Sequence, residues 1–427
     1  MLLRFGVENY YSIRGYTEIS LIASGAIKDK GSDLIESTAI RDQIVPICIL
    51  YGANASGKTN IYHALRRLRS HVVTSFVERK PNQAIARNVF RLNPECSIKP
   101  TRYDCDVVIN GVRYHYGFEF DDSRYLGEWL FSFPDGRRRM LFTRDEEGVS
   151  FGKSLRGNNK SIESIGRPNA LFLSTAAQGS HEMLTPIFQY FENAWQGIGA
   201  GFEIERVEDD LSDGIDKRVI KFLQFADTGI VACNVKKRER DPSSRRMIEG
   251  LYKVMREAAS EDGAQVPEID IDSPLSEVFL GHMAGDGEVV DLPLGDESRG
   301  TIRLISMMDE VFKALDEGTM LCIDEIDVSL HPLIVDEILS LFANKRTNPL
   351  GAQLIATTHD THLIGSAYLR RDQIWFCEKS NRGETRAFPL SEFRTRNTDN
   401  IERQYLSGRY GAIPYLRGSI EHEKSEL

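Results

Sequence analysis

Unbroken apolar runs and strictly alternating stretches divide this chain into segments of different kinds. IVPICILY (Ile44–Tyr51), MLCIDE (Met320–Glu325) and LIATTHD (Leu354–Asp360) are apolar until their last residues, which predicts strands buried on both faces, as in a parallel sheet. TRYDCDVVINGVRYHYGFEFD (Thr101–Asp121) instead alternates apolar and polar residues on either side of Asn110–Gly111, predicting an antiparallel hairpin. WLFSFPDGRRRMLFTRDEEGVSF (Trp129–Phe151) repeats that pattern around Asp135–Gly136. Apolar residues recur with a period near 3.6 over Leu184–Trp195, Val219–Ile230, Arg245–Ala258 and Ile302–Leu315, predicting helices. No heptad is sustained, so the first three of these helices form a short lobe and no long arm. The expected fold is α/β: a mixed or parallel sheet with helices, a β-rich lobe and a short helical insertion. Its parts are residues 1–179, 180–285 for the insertion, and 286–427; the tail EHEKSEL reads as disordered.

At 427 residues the chain is too long for one simple core, and two lobes are expected. Hydrophobic content of 41% with 27% charged residues fits a soluble globular protein. There is no apolar run of about 18 residues and no leader pattern, which predicts a cytoplasmic protein without membrane contact. Cys48, Cys96, Cys105, Cys233, Cys322 and Cys377 lack C-x-x-C spacing and read as reduced thiols, with neither a zinc site nor a disulfide framework. A net charge of -10 argues against a protein coated by nucleic acid. Basic clusters occur at Arg66, Arg67 and Arg69, at Arg137–Arg139, at Lys236–Arg240 and at Arg245–Arg246. Each is either a solvated face or a local stripe for DNA phosphates, and KKRERDPSSRR is the strongest DNA or protein docking candidate.

Candidate chemistry begins directly after the first apolar run. GANASGKT, Gly52–Thr59, fits G-x4-G-K-S/T at every specified position, the pattern of a phosphate loop. Its glycines let backbone N–H groups of Gly52, Asn54, Ala55, Ser56 and Gly57 curl around phosphates, Lys58 reaches the β and γ oxygens, and the Thr59 hydroxyl ligates Mg2+. Asn60 then opens a helix whose positive end faces the phosphates. The competing reading is a chance match in a Gly-rich loop. Asp324 and Glu325 end the second apolar run, placing two acids at the carboxyl end of a buried strand. Asp324 would hold the metal and Glu325 would polarise the attacking water, although buried strands also end in acids for purely structural reasons. His359 ends the third run.

The order of these motifs resembles that of an ABC-type ATPase core, a P-loop NTPase head. In such proteins a histidine placed like His359 contacts the γ-phosphate. A signature segment touches ATP held by the opposite protomer. ESRGT supplies Glu297, Ser298, Arg299 and Gly300 before an apolar-periodic helix, departing from LSGGQ at Glu297, Arg299 and Thr301. Ser298 as an ordinary helix cap uses the same N–H groups and is compatible with that role.

More of the chain carries a closer likeness. LLRFGVENYYSIRGYTEISL, the phosphate loop, RPNALFLSTAAQ, ESRGT, IDEIDVSLHP, AQLIATTHDTHLI, DQIWFCEK and YLSGRYGAIPYL together resemble the bacterial ABC-type ATPases of phage-defence and abortive-infection systems. The AbiL-type ATPase is the nearest in pattern, with RloC, PARIS and OLD ATPases further away. The resemblance implies a homodimer or higher homo-oligomer that sandwiches ATP, slow hydrolysis, and a separate effector, a Toprim-related or RloB-like nuclease. It also implies that Asn9, Ser12 and Arg14 lie near the nucleotide, the other reading being that they pack the first sheet. A DNA-repair clamp of the RecF or SMC-head kind, with a DNA grip gated by ATP, is the alternative. A transporter subunit fits the altered signature poorly, and a nucleoside kinase would not need ESRGT and His359.

Overall fold

A computed structural model describes residues 1–29, 31–199, 211, 214–239, 242–262, 275–396 and 399–414. The tail EHEKSEL, Tyr415 and Leu416 of the closing motif, and Arg240–Asp241 of the basic stretch lie outside them. The chain forms two compact units, Met1–Ala200 with Lys313–Leu427, and Gly201–Phe312. The sequence expectation put the corresponding divisions at residues 180 and 285.

The first unit is built on a six-stranded sheet in the order Thr385–Pro389, Ile374–Lys379, Ile47–Tyr51, Gln353–Thr357, Met320–Ile323, Trp195–Ile198. All pairings are parallel except that of Ile374–Lys379 with Thr385–Pro389. Ile47–Tyr51, Met320–Ile323 and Gln353–Thr357 are buried at every position, as their unbroken apolar sequences require. They run in parallel, so their polar carboxyl ends gather at one edge of the sheet, where α/β folds bind ligands. The edge strand Trp195–Ile198 was not anticipated. The periodic stretch Leu184–Trp195 is helical only over Thr185–Asn193, and Trp195 has left the helix to pair with Met320. A four-residue strand containing Gly197 carries too little alternation to be recognised.

A seven-stranded antiparallel sheet completes this unit, in the order Thr17–Ser20, Leu2–Glu8, Thr101–Ile109, Val112–Phe120, Tyr125–Phe133, Arg139–Asp145, Gly148–Phe151. The hairpin at Asn110–Gly111 turns with φ of 49° and 73°, the paired left-handed conformation of a tight two-residue turn. Asp135 and Gly136 adopt φ of 52° and 73° in the second expected turn. The helix that follows the phosphate loop, Lys58–Thr74, buries Ile61, Leu65, Leu68 and Val72. Gln353 ties the two sheets together, accepting from the Leu2 N–H at 2.6 Å and donating to the Leu2 carbonyl at 2.9 Å.

His71, on that same helix, packs against Tyr103, Phe118, Phe120 and Tyr125. Its Nδ1 lies 2.7 Å from the Tyr125 hydroxyl and 3.2 Å from the Arg79 guanidinium. Arg79 can only donate, so Nδ1 accepts and the ring is neutral. Burial and the Arg79 charge push its pKa well below the usual imidazole range. In the unfolded chain His71 titrates near 6.5, so below that pH the unfolded state gains a proton that the folded state refuses. Stability therefore falls as pH drops through about 6.5, by up to about 1.4 kcal/mol per pH unit from this residue. Denaturant melts at pH 7.5 and 5.5 should show a smaller loss for His71→Gln than for wild type; equal losses would remove His71 from the acid response.

The second unit contains the helices Lys217–Phe225 and Pro242–Asp262 and the start of Arg299–Glu317. The helices overlap the periodic stretches without sharing their bounds, and a three-stranded antiparallel sheet accompanies them, Ile230–Arg238, Leu275–Met283 and Val289–Pro293 in that order. This sheet was not expected, because Ile230–Arg238 mixes apolar and polar residues on both faces and shows no clear period of two. All six cysteines are free thiols. Among the described residues no helix is long and apolar enough to cross a membrane.

Candidate functional site

The loop between Tyr51 and Lys58 bends where its residues allow. Gly52 and Gly57 have φ of 156° and 108°, and Ala55 has φ of 62°. A Cβ at Gly57 would also stand 2.1 Å from Thr385 Oγ1, so close approach and backbone conformation both demand glycine there. Lys58 is 4% exposed and donates through Nζ to the carbonyls of Gly52 and Ala53 at 2.8 and 3.2 Å. Burial lowers its pKa, and the carboxylates of Glu325 and Asp324 are among the groups opposing that. Its ammonium is therefore held inside the loop, as a phosphate-binding lysine should be.

Asn54, Ala55, Ser56, Gly57, Lys58, Thr59 and Asn60 line a cleft of about 400 Å³ together with Glu325, His359 and Lys379. Gly52 forms the base of the loop. Asp324 is 3% exposed and accepts from the hydroxyls of Thr357 at 2.7 Å and Thr59 at 3.4 Å. A hydroxyl and a carboxylate so placed beside a phosphate loop are the hard oxygen donors Mg2+ prefers, so these residues fit that ion. Glu325 has φ of 54°, a left-handed conformation costing a non-glycine residue about 1–2 kcal/mol. Its N–H is held at 2.7 Å by Thr357 Oγ1, and the next N–H, that of Ile326, by the Thr357 carbonyl at 3.0 Å. The sharp turn aims consecutive carboxylates in different directions, one under Thr59 and one into the cleft. The N–H of His359 donates to both carboxylate oxygens of Asp327 at 3.3 Å, fixing the strand end. Burial and the nearby Lys58 charge lower the His359 pKa, so the imidazole is neutral near pH 7.

Three residues in this site escaped the sequence reading. Thr357 organises both acids, and a hydroxyl closing an apolar strand was its only signal. Lys379 ends the strand beside the phosphate loop, a position that becomes meaningful only once the strand order is known. Thr385 packs under Gly57. Of the three N-terminal residues, Ser12 accepts from Asn60 Nδ2 at 2.6 Å and thus reaches the loop. Asn9 instead organises a neighbouring turn, donating to the carbonyls of Cys96 and Lys99 at 2.9 Å, and Arg14 pairs with Glu384 at 2.6 Å. In the second unit, Ser298 accepts the Thr301 N–H at 3.1 Å, capping the helix Arg299–Glu317, and Glu297 contacts His282 at 2.6 Å. In the basic cluster on the phosphate-loop helix, Arg66 stacks over Tyr62 and Arg69 donates to the Glu192 carbonyl at 2.7 Å, contacts that serve the fold.

The family model described as AAA domain, putative AbiEii toxin, Type IV TA system matches residues 47–365, well over half of the chain. This chain belongs to that AAA-domain family. The matched stretch opens on the phosphate-loop strand and closes just beyond His359, so it takes in Gly52–Asn60, Asp324, Glu325 and His359. As a member of the family the protein is a P-loop ATPase domain. No curated protein gives a match. Among solved structures, cbiO1 from Clostridium perfringens, part of the ABC transporter complex cbiONQ, is similar at a TM-score of 0.31 and 10% identity, with 96% of each chain covered. That likeness is too low to carry any argument about this AAA-domain protein, whose α/β fold is read from its own strand order.

Proposed function

We propose that this ATPase domain is an ABC-type switch: two copies sandwich two ATP molecules, and the sandwich restrains or releases a separate toxic effector in phage defence. The observation that carries the reading is the convergence of Asn54–Asn60, Glu325 and His359 on one cleft, with Asp324 directly beneath Thr59. A phosphate loop alone would need neither Glu325 nor His359. In this reading the loop N–H groups and Lys58 bind the β- and γ-phosphates, and neutral His359 donates a hydrogen bond to the γ-phosphate. Glu325 orients a water in line with the γ-phosphorus; the new P–O bond forms as the bond to the β–γ bridging oxygen breaks. Thr59 and Asp324 would hold Mg2+, which neutralises charge on the β- and γ-oxygens. Ser298 caps the start of a long helix, and the positive end of that helix supports a role against the partner's γ-phosphate together with Glu297, Arg299 and Gly300. The family description, which names a putative toxin and a toxin–antitoxin system, agrees with a partnered role.

Light scattering of Glu325→Gln with and without ATP and Mg2+ tests the sandwich. The expected result is a doubling of mass that needs ATP and is lost in Ser298→Arg, which crowds the proposed contact in trans. A monomer with ATP bound would overturn the dimeric switch while leaving the P-loop ATPase in place.

A further inference from the structure

Two segments remote in sequence meet beneath the phosphate loop. The Thr385 hydroxyl donates to the Ser56 carbonyl at 2.7 Å, and its other neighbour is Ser12 Oγ, also at 2.7 Å. Asn60 Nδ2 donates to Ser12 Oγ at 2.6 Å, and the Thr385 N–H donates to the Ser12 carbonyl at 2.7 Å. Each hydroxyl has a single proton. That of Thr385 is committed to Ser56, so Ser12 must donate to Thr385, and Ser12 in turn accepts from Asn60. The relay therefore has one direction, from Asn60 through Ser12 and Thr385 to the Ser56 carbonyl. Thr385 is 5% exposed, so its hydroxyl is shielded from water.

The Ser56 carbonyl and the Gly57 N–H belong to one planar trans peptide, in which they point opposite ways. Holding the carbonyl toward Thr385 turns the Gly57 N–H away from it, and Gly57 is one of the residues that line the cleft. There is little slack for that peptide to rotate. The same hairpin, Ile374–Lys379 with Thr385–Pro389, also meets the start of the loop, where a Cβ at Gly52 would stand 2.3 Å from the Cys377 carbonyl.

We propose that Thr385 is a positioning residue for nucleotide binding: it acts through Ser56 to aim the Gly57 N–H at a phosphate oxygen of a nucleoside triphosphate. This rests on the ATP-binding reading of the cleft. Titration calorimetry with MgATP on the full chain separates the two. Thr385→Val keeps the side chain's size and removes its hydroxyl, and should weaken binding about three- to tenfold, the worth of one ordered hydrogen bond. Thr385→Ser should restore wild-type affinity. Ser12→Ala should weaken binding too, and Ser12→Ala with Thr385→Val should lose less than the product of the single losses, because one relay is broken once. If wild type binds no ATP, the reading of the cleft fails. If wild type binds and both Thr385→Val and Ser12→Ala bind equally well, the relay has no positioning role. A lowered melting temperature with unchanged affinity would also overturn it, leaving Thr385 a packing residue. Should Thr385→Val not fold, Ser12→Ala with Thr385→Ser decides alone.

Discussion

Replacing Glu325 by Gln is expected to slow ATP hydrolysis about 10²–10³-fold while leaving ATP affinity within about threefold of wild type. Gln has the size of Glu, and the left-handed turn at this position is held by backbone bonds to Thr357 that the substitution leaves intact. What disappears is the negative charge that, in the proposed mechanism, would orient a water and take up its proton. The loss therefore falls on the chemical step. Phosphate release in a single turnover, beside equilibrium binding of ATP, measures the two effects separately. An unchanged rate would remove Glu325 from the chemistry, and an equal fall in affinity would mean that its charge acts on binding.

Lys58→Ala should instead lower hydrolysis at limiting ATP by weakening ATP binding about 10- to 100-fold, the range for losing a charge-assisted phosphate contact. Its effect on the ligand-free fold should be small. The buried ammonium costs solvation, as its lowered pKa indicates, and that cost offsets the two carbonyl bonds lost with it. Thermal melts make the contrast visible: wild type should melt higher in ATP, by mass action, and Lys58→Ala should need about 10- to 100-fold more ATP for the same rise. A variant that gains the same stability as wild type at the same ATP concentration would show that Lys58 is not the principal phosphate contact.

Most of the residues that line the cleft were legible because they are local in sequence or end a recognisable strand. Gly52–Thr59 is contiguous, and Asp324, Glu325 and His359 each close an apolar run that admits only a buried strand. Thr357, Lys379 and Thr385 were not legible for the opposite reason. Their roles depend on which strand lies beside which, and the order placing Ile374–Lys379 and Gln353–Thr357 on either side of Ile47–Tyr51 is a tertiary fact. The same limit governs the fold. Hairpins with left-handed turns at Asn110–Gly111 and Asp135–Gly136 announced themselves, whereas the strands Trp195–Ile198 and Ile230–Arg238 have sequences too short or too mixed to show a period. Ser12 was flagged beside Asn9 and Arg14, and only its geometry separates a residue under the loop from one that shapes a neighbouring turn.

The central position of Ile47–Tyr51 also has a consequence for how the protein is made. Both of its neighbours come from far later in the chain, the nearer beginning at Gln353. About 300 residues must therefore be synthesised before the strand gains a partner, roughly 15–60 s at the usual pace of a ribosome of ~5–20 residues per second. Through that interval the apolar run Ile44–Tyr51 has no sheet to join, and the nascent chain has no nucleotide pocket with which to stabilise itself. Ribosome-bound chains halted before Gln353 should depend on chaperones and ignore ATP, whereas chains released after Pro389 should respond to it at once.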